Sequence, residues 1–199
     1  MNYLVHLYLA GPDPQHRLGG LMGDFVKGPL PDHYPEKIRQ GLHLHRRIDT
    51  LSHSNQHTRN SRQRLNPKFG HGRGIIVDIF YDHFLATDWS DFSDTPLEEY
   101  ATTTYQLLEQ NHHLLPPDLQ QIAPLMSKHN WLVAYRRQEV VARALQRISE
   151  RLSKPLPLAE GLTDMLKHEN ALREDFRGFM ADAERFVQRE MEKVETLDR

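Results

Sequence analysis

This sequence predicts an all-α fold, a single-domain helical bundle, on the strength of three observations. Apolar residues recur at helical spacing along most of the 199 residues. No run of alternating apolar and polar residues is long enough to read as a strand, and β-branched residues cluster only in short apolar pieces. The breaks between periodic stretches are written in Gly and Pro: Gly11-Pro12, Gly28-Pro29, Pro116-Pro117, and Pro155 with Pro157.

In chain order, the first helix is expected over Asn2 to Ala10, short and apolar, with Gly11-Pro12 ending it. The next runs from His16 to Lys27, carries Leu18, Leu21, Met22 and Phe25 at helical spacing, and stops at Gly28-Pro29. A longer helix follows from about Pro35 to Arg59, where Ile38, Leu42, Ile48 and Leu51 recur between histidines and arginines. Asn66-Pro67 to Gly74 reads as a loop, and an apolar helix from about Gly74 to Thr87 comes after it. Beyond a loop at Trp89 to Thr95, a helix is expected from about Pro96 to His113, with Thr95 as its cap and Pro96 suited to a first turn. Helices at about 118–129, 138–152 and 160–195 complete the bundle, and the charged tail is expected to fray. No repeat, low-complexity block or linker divides residues 1–199, which read as one domain.

Lys and Arg number 25 and Asp and Glu 27, and the net charge of −2 gives no whole-protein argument for nucleic acid or an anionic membrane. Neither is expected as a partner, and any attraction to a charged partner must be local. The absence of cysteine removes disulfides, thiolate zinc sites and cysteine nucleophiles, and suits a reducing cytoplasm. The apolar N-terminus lacks a basic flank and already carries His6, so it fits neither a signal peptide nor a membrane span. A soluble, cytoplasmic protein is expected.

The segment Gly74 to Leu85 places Asp78, Asp82 and His83 within an apolar helix. A buried carboxylate neutralises, pairs with a cation or binds a metal. Asp78 and Asp82 are one turn apart on one face, and His83 offers an imidazole at its edge. Arginines from a neighbouring helix capping the two acids would explain the pattern equally well. Three further places carry chemistry of the same kind. His6 stands alone on an apolar helix, where a satisfied core histidine is the bland alternative. Asp24 lies among Leu21, Met22, Phe25 and Val26, too far from the expected helix start to be a cap. His45 and Asp49 are four apart on one face, a spacing that surface pairs also show. Together they describe a thiolate-free imidazole and carboxylate set suited to Mn²⁺, Mg²⁺ or Fe²⁺, with zinc as an alternative, and to hydrolysis by an activated water. No Gly-rich phosphate loop, His-Glu-x-x-His element or Gly-x-Ser-x-Gly elbow is present. Arg46 and Arg47, Arg59, Arg62, Arg64, Lys68 and Arg73, and then Arg136-Arg137 after Trp131 to Tyr135, describe either a solvated face or a basic rim for an acidic macromolecule or a phosphate.

The stretches Met1 to Ala10, Gly23-Asp-Phe-Val-Lys-Gly28, Leu44-His-Arg-Arg-Ile-Asp49, Ile75 to Leu85 and Trp131 to Arg137 occur in an order that resembles the bacterial acyl carrier protein phosphodiesterases, a divergent branch related to HD-type metal-dependent phosphohydrolases. The resemblance implies a divergent HD-like bundle and a link to fatty acid biosynthesis and lipid metabolism. It also implies hydrolysis of the phosphodiester joining 4'-phosphopantetheine to a serine of holo acyl carrier protein, an acidic helical protein. Manganese would be the metal, with Mg²⁺, Fe²⁺ and Co²⁺ as alternatives. Asp24, Asp78, Asp82 and His83 become the metal candidates, and His6, His45 and Asp49 the catalytic ones. Arg46, Arg47, Arg62, Arg136 and Arg137 become the candidates for carrier binding. The order Asp82-His83 reverses the His-Asp doublet of ordinary HD enzymes. Ser52-His53-Ser54-Asn55 also departs from the family's Thr-Asp-x-His, and His53, two turns from His45, is a substitute ligand. Two rival readings are a hydrolase of nucleotides or other small phosphodiesters and a helical module that binds carrier protein without cleaving it.

Overall fold

The structure, a computed structural model, describes residues 3–197. Its helices are α1 (Tyr3–Leu9), α2 (Pro14–Met22), α3 (Glu36–Ser54), α4 (Gln56–Arg64), α5 (Gly72–Thr87), α6 (Leu97–Gln110), α7 (Pro117–Lys128), α8 (Trp131–Ala134), α9 (Gln138–Arg151) and α10 (Gly161–Leu197). Short 3₁₀ turns at Pro67–Phe69, Trp89–Asp91, His112–Leu114 and Leu158–Glu160 link some of them, and no strand occurs among the described residues. The chain is all-α, as its periodicity predicts. No helix among the described residues is long and apolar enough to cross a membrane.

A central helix organises the core. α5 is apolar around most of its circumference, which is the mark of a helix with neighbours on every side. It buries Ile76, Val77, Ile79, Phe80, Tyr81, Phe84, Leu85 and Ala86, and it packs against α1, α4, α9 and α10. α10 adds Phe176, Phe179, Met180 and Ala183 to the same core. A buried polar link ties it to α4: Asp175 accepts from Arg64 Nε at 2.8 Å and from Ser61 Oγ at 3.3 Å, and Ser61 Oγ lies 2.9 Å from the Tyr81 hydroxyl of α5.

α2 and α3 meet backbone to backbone because glycine faces glycine. A Cβ on Gly19 would lie 2.2 Å from the Ile38 carbonyl oxygen, and one on Gly41 would lie 2.4 Å from the His16 carbonyl oxygen. This contact brings the end of α2 against the middle of α3, where His45 stands.

The structure moves several expected boundaries. α2 starts at Pro14 rather than His16, since Asp13 caps it by accepting from the Gln15 and His16 amides at 2.9 and 3.2 Å and proline suits the first turn. It ends at Met22, so Asp24 and Phe25 lie in the turn that follows and not in the helix. The expected helix from Pro35 to Arg59 is two helices. Asn55 donates its amide to Leu51 O at 2.8 Å to close α3, while its side chain accepts from the His57 amide at 2.8 Å to open α4. Thr95 caps nothing, because Pro96 is itself the residue before α6. Trp131–Ala134 forms a helical turn that periodicity over four residues does not reveal. α10 continues through Leu197 with one interruption at His168 (φ −118°, ψ 17°). Asn2 lies outside the described residues.

Gly41→Ala is expected to push α2 off α3 and lower the unfolding free energy by about 2 kcal/mol, the usual scale of overpacking, as read in a urea titration. Wild-type stability in that variant would mean that the two helices have slack.

Candidate metal centre

Two helices and one turn converge on a cluster of imidazoles and carboxylates. α1 supplies His6, α3 supplies His45 and Asp49, and the turn after α2 supplies Asp24. One ligand atom from each of His6, His45 and Asp49 lies within 4.8 Å of the others, an arrangement that could hold a metal ion. His45 Nε2 is 3.3 Å from Asp49 Oδ2 and 3.6 Å from Asp24 Oδ1. The two imidazoles stack, with ring centroids 3.6 Å apart and planes 16° from parallel. Both rings are buried, whereas Asp49 and Asp24 keep 39% and 40% of their side-chain surface exposed, so the cluster opens to solvent on its carboxylate side.

Local folding sets the orientation of His45. Its Nδ1 donates to the Gly20 carbonyl at 2.7 Å, which puts the proton there and turns the Nε2 lone pair toward the carboxylates, the orientation that metal-binding histidines commonly receive from a backbone carbonyl. The ring lies directly over Gly23, where a Cβ would sit 2.1 Å from its Cγ. His6 is different. Its Nε2 is 3.2 Å from Asp49 Oδ1, an ion-pair contact off the line a hydrogen bond requires, and neither ring nitrogen has a hydrogen-bond partner among the described residues. A buried imidazole with both nitrogens orphaned is rare and demands an explanation. A cation ligated by His6, His45 and Asp49 supplies one, and the donor set, nitrogen and oxygen without sulfur, suits the harder divalent ions.

The charges are tightly coupled. Burial pulls His45 down, but Asp24 and Asp49 outweigh it and raise its pKa to about 9. Burial works against the charged form of Asp49 as well, and the two imidazoles overcome it and hold the carboxyl far below its ordinary range. Asp24 is lowered in the same way, its burial outweighed by His45. His6 is pushed down to about 3 by burial, against the pull of Asp49, so it stays neutral and able to donate a lone pair.

The acids of α5 divide between two tasks. Asp78 is half-buried, and burial, together with the charges of Asp49 and Asp24, pushes its carboxyl up, which sets it on the cluster's side of the helix. Asp82 turns to α1 instead, where its two oxygens accept the amides of Leu4 and Val5 at 2.9 and 3.0 Å. Burial pushes this carboxyl up to about 7, against those two donors. Asp82 therefore caps the helix that carries His6, and the two α5 acids do not converge on one point. His83 also faces elsewhere, with Nδ1 donating to the Tyr135 carbonyl at 2.7 Å. His53 is exposed and lies outside the ligand cluster.

Most of the sequence-nominated arginines are engaged within the fold. Arg46 donates to Val26 O at 3.1 Å, Arg47 grips Glu190 at 3.0 and 3.2 Å, and Arg62 donates to His53 O at 3.0 Å. Arg136 holds Ala86 O at 3.0 Å and Glu98, while Arg137 is exposed and 3.9 Å from Glu139. Sequence reasoning missed Gly20 and Gly23, which orient and accommodate His45. Their signal was the small-residue run Gly19, Gly20 and Gly23 within the apolar stretch Leu18 to Val26. It also missed Tyr3, one turn before His6, whose ring stacks on Phe25 with centroids 6.2 Å apart.

Asp82→Ala is expected to leave two buried amides without an acceptor and to cost about 3 kcal/mol of stability, with metal affinity falling in the same variant because α1 loses its anchor. Chemical denaturation and metal titration read the two effects. Wild-type metal affinity in a destabilised Asp82→Ala protein would separate the cap from the cluster.

Comparison with known proteins gives the geometry a family. Residues 1–183 match the model of a family described as acyl carrier protein phosphodiesterase. A curated acyl carrier protein phosphodiesterase of Pectobacterium atrosepticum is 32% identical over 169 residues, 84% of this chain and 88% of that protein. One from Escherichia coli is 32% identical over 183 residues, 90% of this chain and 93% of that protein. A third, from Klebsiella pneumoniae, is 29% identical over 180 residues with the same coverage, 90% and 93%. No solved structure matches the chain. With the match running through α1, the α2 turn, α3 and α5, the elements that build the cluster, the chain belongs to the acyl carrier protein phosphodiesterase family.

Proposed function

We propose that this protein is a metal-dependent phosphodiesterase that removes 4'-phosphopantetheine from the serine of holo acyl carrier protein, leaving the apo carrier. The observation that carries the reading is the orphaned, buried His6 imidazole beside His45 and Asp49 in a chain of this family. His6, His45 and Asp49 would hold the ion, with Asp24 beside them on the open side. Manganese is the ion that the family resemblance implies, and the nitrogen and oxygen donors suit Mg²⁺, Fe²⁺ and Co²⁺ as the alternatives to compare. A divalent cation there supplies Lewis-acid activation of the phosphodiester and of the attacking water.

The chain's own groups complete the chemistry. Asp24, the carboxylate beside the three ligands on the open side, can take a proton from water as it attacks phosphorus. Asp78, whose carboxyl burial pushes up, is the group biased to hold a proton and pass it to the departing serine oxygen. Water then ends on the phosphate of free 4'-phosphopantetheine, and the serine regains its hydroxyl. Tyr3 and Phe25 form an aromatic wall next to Asp24 that suits the apolar length of the pantetheine arm. On this reading the whole chain acts as one domain, and a cysteine-free enzyme of a biosynthetic carrier works in the cytoplasm.

Purified protein with Mn²⁺ and holo carrier protein is expected to produce a mass loss of ~340 Da from the carrier, abolished by EDTA. His6→Ala and Asp78→Asn should each lower turnover about 100-fold or more, and only His6→Ala should also weaken metal binding. An intact carrier after incubation with metal-loaded enzyme, alongside rapid cleavage of small phosphodiesters, would move the substrate to the latter class.

Metal binding should also depend on pH. The metal-free His45 pKa of about 9 lies above its ordinary 6.5, so a proton must leave before Nε2 can bind a cation. Affinity is expected to rise about tenfold per pH unit across that window, with release of about one proton per ion, seen as a buffer-dependent binding enthalpy in calorimetry. The stability that the His45 ion pairs lend the metal-free protein runs oppositely. It is fully present below pH 6.5 and lost as pH rises through about 9. Binding with no proton release would remove His45 from the ligand set.

A further inference from the structure

Across α1 from the metal centre lies a cleft of about 420 Å³ in which the cluster takes no part. Tyr8 follows His6 by two residues, about 200° around the helix, so the two side chains leave α1 on opposite faces. Tyr8, Trp89 and Tyr100 form the aromatic side of the cleft, and Leu9, Pro12 and Val187 add aliphatic surface. Such a size and lining belong to a site for a small, largely apolar molecule. The Trp89 ring stands at 78° to Tyr8 and 52° to Tyr100, with centroids 6.0 and 4.8 Å away, and its Nε1 donates to Thr95 O at 2.7 Å. Trp89 is thus held parallel to neither neighbour. It forms no slot with them for a flat ring, whereas a flexible aliphatic chain follows such a surface.

Two polar groups of the lining lack the partners that the rest of the fold provides. Arg17 is half-buried, its Nε donates to Gly11 O at 2.8 Å, and its guanidinium carbon lies 4.7 Å from the centre of the Tyr100 ring. These contacts hold the group in place, yet it forms no ion pair among the described residues. A fixed guanidinium fork matches a carboxylate. The Tyr100 hydroxyl is buried and has no hydrogen-bond partner among the described residues, an orphan that calls for an explanation. The carboxylate of the lining, Glu184, is exposed and already accepts from the Tyr8 hydroxyl at 2.8 Å. The charge left to attract a ligand is therefore that of Arg17.

We propose that this cleft binds an aliphatic monocarboxylic acid, with the carboxylate on Arg17 and Tyr100 and the chain against Tyr8, Trp89 and Val187. The site is separate from the centre and does not depend on the proposed function.

Trp89 reports occupancy directly. The chain has two tryptophans, so W131F leaves Trp89 as its only indole. Decanoate below its micellar concentration is expected to change that fluorescence saturably, with affinity falling about threefold for each methylene removed on the way to hexanoate. In the same background R17Q should weaken binding about tenfold or more, R17K, which keeps the charge without the fork, should lose less in the same direction, and Y100F should lose about fivefold. R59Q, the same charge change at an exposed arginine of α4, should bind as W131F does. Circular dichroism melting checks that each variant folds, and calorimetry on the unsubstituted protein should give the affinity that W131F gives. No saturable signal from any acid of the series overturns the proposal, as does unchanged affinity in folded R17Q. Decanol or decylamine binding as tightly as decanoate, or hydrocinnamate binding more tightly than nonanoate, which has as many carbons, overturns it too.

Discussion

The carboxylate of Asp82, buried and holding the first amides of α1, is the constraint on which the candidate centre depends. α1 has seven residues, too few to be stable alone, and its N-terminal amides would be orphaned in the core without an acceptor. One acid on the central helix satisfies two of them and fixes where α1 sits. His6 is then held over His45. One turn back along α5 lies Asp78, whose carboxyl burial pushes up, with the charges of Asp49 and Asp24 adding to the effect. A single helix thereby carries both the anchor and a candidate reactant.

The second constraint is the glycine contact between α2 and α3. Side chains larger than hydrogen at Gly19, Gly23 or Gly41 would occupy space that backbone or the His45 ring already fills. The close approach has an electrostatic consequence. It brings the Gly20 carbonyl within 2.7 Å of His45 Nδ1, so one imidazole is oriented by the backbone while its neighbour, His6, meets only the Asp49 carboxylate among the described residues, at 3.2 Å. The two histidines are driven apart in proton affinity by the same surroundings, one raised by two carboxylates and the other lowered by burial.

Outside the cluster, ion pairs fasten the long last helix to the rest of the bundle. Arg47 with Glu190 and Arg64 with Asp175 fasten α10 to α3 and α4, and Arg173 with Asp88 fastens it to the segment after α5. Pairing at an exposed surface is weak, so these links supplement the apolar packing of α10 in the core.

Much of this protein is written locally. The all-α class and most helices follow from apolar periodicity and Gly-Pro punctuation, and His6, Asp24, His45, Asp49 and Asp78 were recognisable as chemical groups in apolar or patterned surroundings. The same signal marked Asp82 and His83. Sequence spacing cannot distinguish a buried acid that faces a cluster from one that caps a neighbouring helix, because the partner lies 77 or 78 positions away in the chain. Nor could it tell that Arg47 is consumed by α10, since Glu190 lies 143 positions away. Residue type and helical phase are properties of the local chain and determine what a side chain is able to do. Which backbone amide, carbonyl or carboxylate it meets is decided by the packing of distant helices, and that packing exists only in the tertiary structure.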